Sequence, residues 1–170
     1  MGRQASGRPG GCARACHAVC GWGRQRPRVI LADAGFFYAL ADADDAWHSR
    51  ARQALATQAE GWITTWPVLT EATHLLTRWI GADAAQALLR DVAAGGIAVW
   101  QWAAPQTERL ASLMERYASL PMDLADASLV LLAEHLGHGR ILTTDERDFG
   151  AYRFKSREPF QNLLSEGAHG

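Results

Sequence analysis

Four short apolar runs recur along this chain with helical patterns between them: Val29-Ile30-Leu31-Ala32, Gly61-Trp62-Ile63-Thr64, Ile97-Ala98-Val99-Trp100-Gln101-Trp102 and Arg140-Ile141-Leu142-Thr143. They are too short for membrane spans, and consecutive apolar positions bury both faces of a pleated strand. The first run feeds a helix at Phe36, Phe37, Tyr38 and Leu40. Asp44-Asp45 is expected to cap a second helix through about Thr57, and Pro67 to open a third whose apolar stripe is Val68, Ala72, Leu75, Leu76 and Trp79. Gly81 breaks that helix, and Ala82 to Ala94 form another. Pro105 opens a helix to about Ala118, and Met122 to Leu136 form the most apolar helix, ended by Gly137. Such alternation calls for a parallel sheet with helices on both faces, an α/β architecture, and 170 residues suffice for one domain of this kind.

Four acids stand where those elements meet. Asp33 and Asp145 follow the first and last runs, Glu71 flanks the stripe of the third helix in its first turns, and Asp126 heads Leu129-Val130-Leu131-Leu132. Open α/β sheets bind ligands outside the carboxyl ends of their strands, so all four are expected at one edge. Singly, each has an ordinary explanation. Asp33 suits an N-cap, Asp123 and Asp126 a cap and first-turn acid, Glu71 a solvated helix flank, and Asp145 with Asp148 a polar turn. Together, carboxylates within about 6 Å raise one another's pKa unless a divalent cation intervenes. An all-oxygen set suits Mg²⁺ or Mn²⁺, whereas zinc favours His or Cys, and the six histidines show no H-E-x-x-H spacing. Carboxylate-held magnesium activates water and neutralises charge on a leaving oxygen, which is the chemistry of phosphodiester hydrolysis.

Charge narrows the partners. Residues 1–28 hold six arginines and no acid, so 11 of the 17 basic side chains face all 18 acidic ones from Val29 onward, a net −7. Phosphate attraction normally needs a basic surface, so an anionic substrate here requires bound metal or local bases. Arg147, Arg153, Lys155 and Arg157 are candidates for docking such a substrate, against an ordinary solvated surface. Residues 1–28 read as a disordered basic leader, or as sequence upstream of a true start at Val29. Residues 29–164 form the domain, and 165–170 a flexible tail. Cys12, Cys16 and Cys20, with His17 among them, lack the paired spacing of a zinc site. No cysteine follows Cys20 and no run is long enough to span a membrane, so the expected setting is the cytoplasm. A chain starting at Val29 is expected to fold and act as the full chain does.

The segments V-I-L-A-D-A-G-F-F-Y-A-L-A-D, T-E-A-T-H-L-L, P-M-D-L-A-D-A-S-L-V-L-L-A-E and I-L-T-T-D-E-R-D-F occur in that order between Val29 and about Leu164. As a set they resemble PIN-domain ribonucleases, most of all the VapC-type toxins of toxin–antitoxin pairs. The resemblance implies a three-layer α/β/α fold around a central parallel sheet, and Mg²⁺-dependent endonucleolytic cleavage of RNA. It places the acidic quartet on Asp33, Glu71, Asp126 and Asp145, with metal on Asp33, Asp126 and Asp145 and Glu71 completing the cage. Thr143 or Thr144 then positions a water, and Asp123 and Asp148 are auxiliary acids. A homodimer and a cognate antitoxin whose tail enters the acidic cleft are also implied. Phe36, Phe37, Trp47 and Trp79 are contact candidates, although aromatic residues at helical spacing more often belong to a core.

Two other readings are weighed. A phosphoacceptor receiver domain would need an acidic pair after the first strand and a lysine after a late one. Asp33 has no acidic neighbour, and the sole lysine, Lys155, follows an arginine-rich turn. A catalytically silent PIN-fold binding module would have no use for four clustered acids.

Overall fold

The structure, a computed structural model, describes residues 28–120 and 122–165; the cysteine-bearing leader and residues 166–170 of the expected tail lie outside the described residues. The strands are β1 (Val29–Ala32), β2 (Gly61–Thr65), β3 (Ile97–Trp100), β4 (Arg140–Leu142), β5 (Arg153–Phe154), β6 (Glu158–Pro159) and β7 (Gln161–Asn162). The helices are α1 (Ala34–Ala41), α2 (His48–Thr57), α3 (Trp66–Trp79), α4 (Ala82–Ala93), α5 (Thr107–Arg116), α6 (Leu124–Leu136) and α7 (Glu146–Ala151). Five strands pair in parallel in the order β3-β2-β1-β4-β7, while β5 and β6 form a separate antiparallel hairpin.

β1 is central, and its four side chains are all buried on both faces of the pleat. That double burial requires helices above and below, giving the three-layer α/β/α arrangement. α6 explains its own position in the same way. Ala125 and every residue from Ala127 to Ala133 are buried, a helix apolar all round that packs on α3 and α5. Leu129 and Leu132 are wholly inaccessible, each contributing about 1.5–3 kcal/mol of burial. Gly137, at φ 83°, ends α6 in the left-handed conformation that suits a residue without Cβ.

The chain runs from β1 outward through β2 and β3, then crosses to the opposite side of β1 to form β4. The order therefore reverses at the β1–β4 junction, where a doubly wound sheet opens a crevice at its carboxyl edge. The registers Leu31↔Ile141 and Ala32↔Leu142 bring Asp33 and Thr143 side by side as the two strands end.

Several expected boundaries shift for local reasons. α6 begins at Leu124 rather than Met122, because Asp123 is extended and caps it. Asp44 and Asp45 do not cap α2. They lie in the preceding turn, where the Asp45 carboxylate accepts from Trp47 N, and α2 begins at His48. β3 stops at Trp100 rather than Trp102. Pro105 lies in a 3-10 turn ahead of α5, which ends at Arg116 rather than about Ala118. The buried stripe of α3 is Val68, Leu69, Ala72 and Leu76; Leu75 is half-buried and Trp79, expected inside, is 63% exposed.

Candidate active site

At the β1–β4 junction, Asp33 is the N-cap of α1, 8% exposed, with Oδ1 accepting from Ala34 N at 2.7 Å. Its Oδ2 accepts from Thr143 Oγ1 at 2.7 Å, and Thr143 Oγ1 in turn accepts from Asp145 N at 2.9 Å. Thr143 is itself buried and held by Asn162, whose Nδ2 donates to its carbonyl at 2.9 Å. One hydroxyl thus fixes the first acid to the backbone of the fourth. Thr144 faces Gly35: a Cβ there would lie 2.1 Å from Thr144 Oγ1, so a larger residue would force that side chain to move.

Asp145 caps α7, its Oδ1 accepting from Asp148 N at 2.9 Å. Asp123 caps α6, its Oδ1 accepting from Asp126 N at 2.9 Å, and Asp126 Oδ2 accepts from Asp123 N at 3.4 Å to complete a capping box. Asp126 Oδ2 also accepts from Tyr152 Oη at 3.1 Å. The start of α6 is anchored from below by Thr65 at the end of β2, whose hydroxyl lies 2.6 Å from Ser128 Oγ. Ser128 donates its own proton to Ala125 O, so Thr65 is the donor between them. Glu71 projects from the second turn of α3.

These acids feel one another's charge. Burial, and then Asp145 and Asp123, push Asp33 up to about 6 against the lowering effect of its two hydrogen bonds. Burial, then Asp123 and Asp33, push Asp126 up to about 7. Glu71 is also pushed up to about 7, by desolvation and then by Asp33 and Asp123. Its residue surface is exposed. Tyr152 is raised above the ordinary phenol range by burial and by Asp126, and stays a donor. Asp33, Glu71, Asp123, Asp126 and Asp145 therefore share one electrostatic field.

No arginine or lysine among the described residues pairs with Asp33, Glu71, Asp126 or Asp145. No protein hydrogen bond among the described residues reaches Glu71's carboxylate, Asp126 Oδ1 or Asp145 Oδ2. Asp148 Oδ1 is buried without a hydrogen-bond partner, and only Arg147 Nε approaches it, at 3.8 Å. Unengaged oxygens, mutual repulsion and the lack of a paired base fit a hard divalent cation. Among the described residues no three His, Cys, Asp or Glu side chains stand together as a ready metal cage.

The candidate docking bases differ in freedom. Arg147 is 81% exposed beside the site. Arg153 is turned to backbone, its Nη1 donating to Gly150 O and Tyr152 O, and Lys155 and Arg157 are exposed around the β5–β6 turn. Phe36 and Phe37, contact candidates from the sequence, are instead core residues, 0% and 4% exposed. Trp47 packs half-buried on that core, leaving Trp79 exposed among the four. Tyr152, Asn162 and the Thr65–Ser128 pair escape a reading by periodicity and motif. Ser128, a lone hydroxyl inside an apolar helix, is the one available signal that a buried polar partner exists.

Comparison with known proteins agrees with this geometry. The PIN domain model matches residues 30–155. Ribonuclease VapC26 of Mycobacterium tuberculosis is 28% identical over 124 residues, spanning 73% of this chain and 92% of its own. The crystal structure of VapC20 from the same organism, described as a Sarcin-Ricin loop cleaving toxin, superposes with a TM-score of 0.68 at 26% identity, covering 76% of this chain and 99% of that one. With its strand order, its acidic edge and a family match over most of its length, the chain belongs to the PIN domain family.

Proposed function

We propose that this protein is a metal-dependent endoribonuclease, the toxin of a VapC-type toxin–antitoxin pair. The observation that carries the reading is the uncompensated acidic edge at the β1–β4 junction, where Asp33, Glu71 and Asp126 are held at about 6 to 7 with no base paired to them. Asp33, Asp126 and Asp145 would hold Mg²⁺, or Mn²⁺ in its place, with Glu71 completing the set. The bound cation would polarise a water and offset charge on the departing oxygen. Thr143 fixes Asp33 Oδ2, and the caps fix Asp123 and Asp145, so the carboxylates need not reorganise when substrate arrives. Asp148, with its unengaged Oδ1, and Thr144, beside Gly35, stand ready as auxiliaries. Water adds to phosphorus, the bond to the 3′-oxygen breaks, and the products carry a 3′-hydroxyl and a 5′-phosphate. Arg147 is the base best placed to meet the RNA backbone beside the site.

The relatives' names support RNA as substrate and an antitoxin as partner. A homodimer is the further expectation. Trp66 and Leu124, both exposed, border Trp102 and Ala125 in an apolar groove that runs into Glu71 and Asp123, so a second copy seated there would wall the acidic edge. No helix among the described residues is long and apolar enough to cross a membrane. Action on cytoplasmic RNA belongs to the same proposal.

The test is cleavage of a mixed RNA pool with Mg²⁺, with EDTA, and by D33N with Mg²⁺, mapping the new ends. Cleavage in the first condition alone, leaving 5′-phosphates, is expected. Folded, antitoxin-free protein that cuts nothing while still capturing a protein partner would favour the catalytically silent module.

A further inference from the structure

We propose that Tyr152 is a positioning residue for Asp126, its buried hydroxyl turning that carboxylate so that Oδ1 faces the cation. The inference rests on the metal-dependent reading above. Tyr152 is the C-cap of α7, the helix that Asp145 begins, so its hydrogen bond to Asp126 spans from the element of the fourth acid to the first turn of α6. The side chain is 0% exposed. Its ring lies edge-on to Phe149, 5.4 Å away, and to Tyr117, 5.0 Å away. That cage leaves the ring a single placement.

Packing does not explain the hydroxyl. A phenylalanine would fill the same aromatic cage, whereas a buried phenol must find a partner or lose free energy. The partner it finds is a carboxylate in a field of other carboxylates. Both hydrogen bonds that Asp126 accepts, from Tyr152 Oη and Asp123 N, fall on Oδ2. Oδ1 is thereby left without a protein donor among the described residues and set at a fixed angle. This is how an outer partner orients a metal ligand, and loss of such a partner typically weakens metal affinity or activity about 10–100-fold.

Y152F keeps the ring and removes the hydroxyl. Y117F is its control. Tyr117 Oη accepts from Arg153 N at 3.0 Å, so that variant removes a hydroxyl from the same aromatic cluster without touching an acid. Mg²⁺ affinity is measured by calorimetry on RNA-free protein, alongside cleavage and the thermal midpoint in EDTA. For Y152F the expectation is Mg²⁺ binding weakened about 10-fold, kcat lowered by a similar factor, KM for RNA within about 2-fold of wild type, and a midpoint within a few degrees. Y117F should bind Mg²⁺ as wild type does. Unchanged affinity in Y152F, an equal loss in Y117F, or a large fall in the Y152F midpoint would each overturn the proposal. Wild type that binds Mg²⁺ and cleaves no RNA, with Y152F still weakened in binding, would uphold the role of Tyr152 and sink the ribonuclease reading. Wild type that binds no Mg²⁺ would sink both.

Discussion

Replacing the most buried acid should stabilise this protein while abolishing its activity. Asp33 is 8% exposed and held at about 6 rather than 3.8, chiefly by desolvation. At about 1.36 kcal/mol per pH unit, its ionised form costs the metal-free fold about 3 kcal/mol. The asparagine of D33N would keep the cap, because an amide oxygen still accepts from Ala34 N. It would lose the match with Thr143, whose hydroxyl already accepts from Asp145 N and would now meet a donor, a loss of about 1–2 kcal/mol. D33N is therefore expected to be about 1–2 kcal/mol more stable than wild type in EDTA at pH 8, roughly 3–6 °C in thermal midpoint. The pH dependence has a definite sign. A carboxyl raised in the folded state binds its proton more tightly there. Wild type therefore gains stability as pH falls through about 6 and levels off near 4, and loses it again as pH rises. The D33N advantage should vanish near pH 5 and reverse by pH 4, where wild type has regained more than about 2 kcal/mol, and urea titrations of both proteins at pH 4, 6 and 8 read it directly. A D33N protein less stable than wild type at pH 8, or one whose advantage ignores pH, would refute the claim that burial and like charge strain this carboxyl.

Three further outcomes follow from the same geometry. Because Glu71 and Asp126 sit at about 7 and Asp33 at about 6 without metal, Mg²⁺ binding should release protons at pH 7 and weaken as pH drops from 8 to 6; calorimetry in buffers of different ionisation enthalpy measures this, and no proton release at pH 7 would count against a shared carboxylate site. T143V removes the donor to Asp33 and the acceptor for Asp145 N, and is expected to cut cleavage about 10-fold in a protein with unchanged circular dichroism; full activity would show that Thr143 only packs. G35A drives a Cβ to 2.1 Å from Thr144 Oγ1, so that side chain must swing away, and urea denaturation should show a loss of about 1–3 kcal/mol.

The parallel core and the acidic edge were legible because burial writes them plainly. β1 is a consecutive apolar run, β2 and β4 each have an apolar centre, Asp33 follows β1 directly, and Asp145 follows β4 after Thr143 and Thr144. Elsewhere the signals fell below what periodicity resolves. β5, β6 and β7 are two residues each, and β7 joins the sheet through pairing with β4 rather than through an apolar pattern of its own. Phe36 and Phe37 lie on an eight-residue helix buried on several sides, so no polar face marked either as core. Tyr152 and Asn162 reach Asp126 and Thr143 through hydrogen bonds made across 26 and 19 positions of chain, which no local window contains.

The ordinary reading of these acids as helix caps and the proposed functional one are compatible. Asp33, Asp123 and Asp145 each commit Oδ1 to a backbone N–H at the start of α1, α6 and α7. A cap fixes a carboxylate more firmly than a solvated side chain can be fixed; among the described residues it leaves the second oxygen of Asp123 and of Asp145 without a protein donor, while that of Asp33 accepts from Thr143 Oγ1. Favourable interaction with a helix dipole supplies about 0.3–1 kcal/mol per acid. The cap hydrogen bonds of Asp33 and Asp126 lower their carboxyls, yet both still end near 6 and 7. Three helix starts therefore suffice to gather and orient the acids and do not suffice to neutralise them. On the proposed reading the remaining charge is what a divalent cation would supply, and the energetic deficit of the metal-free site would favour binding one.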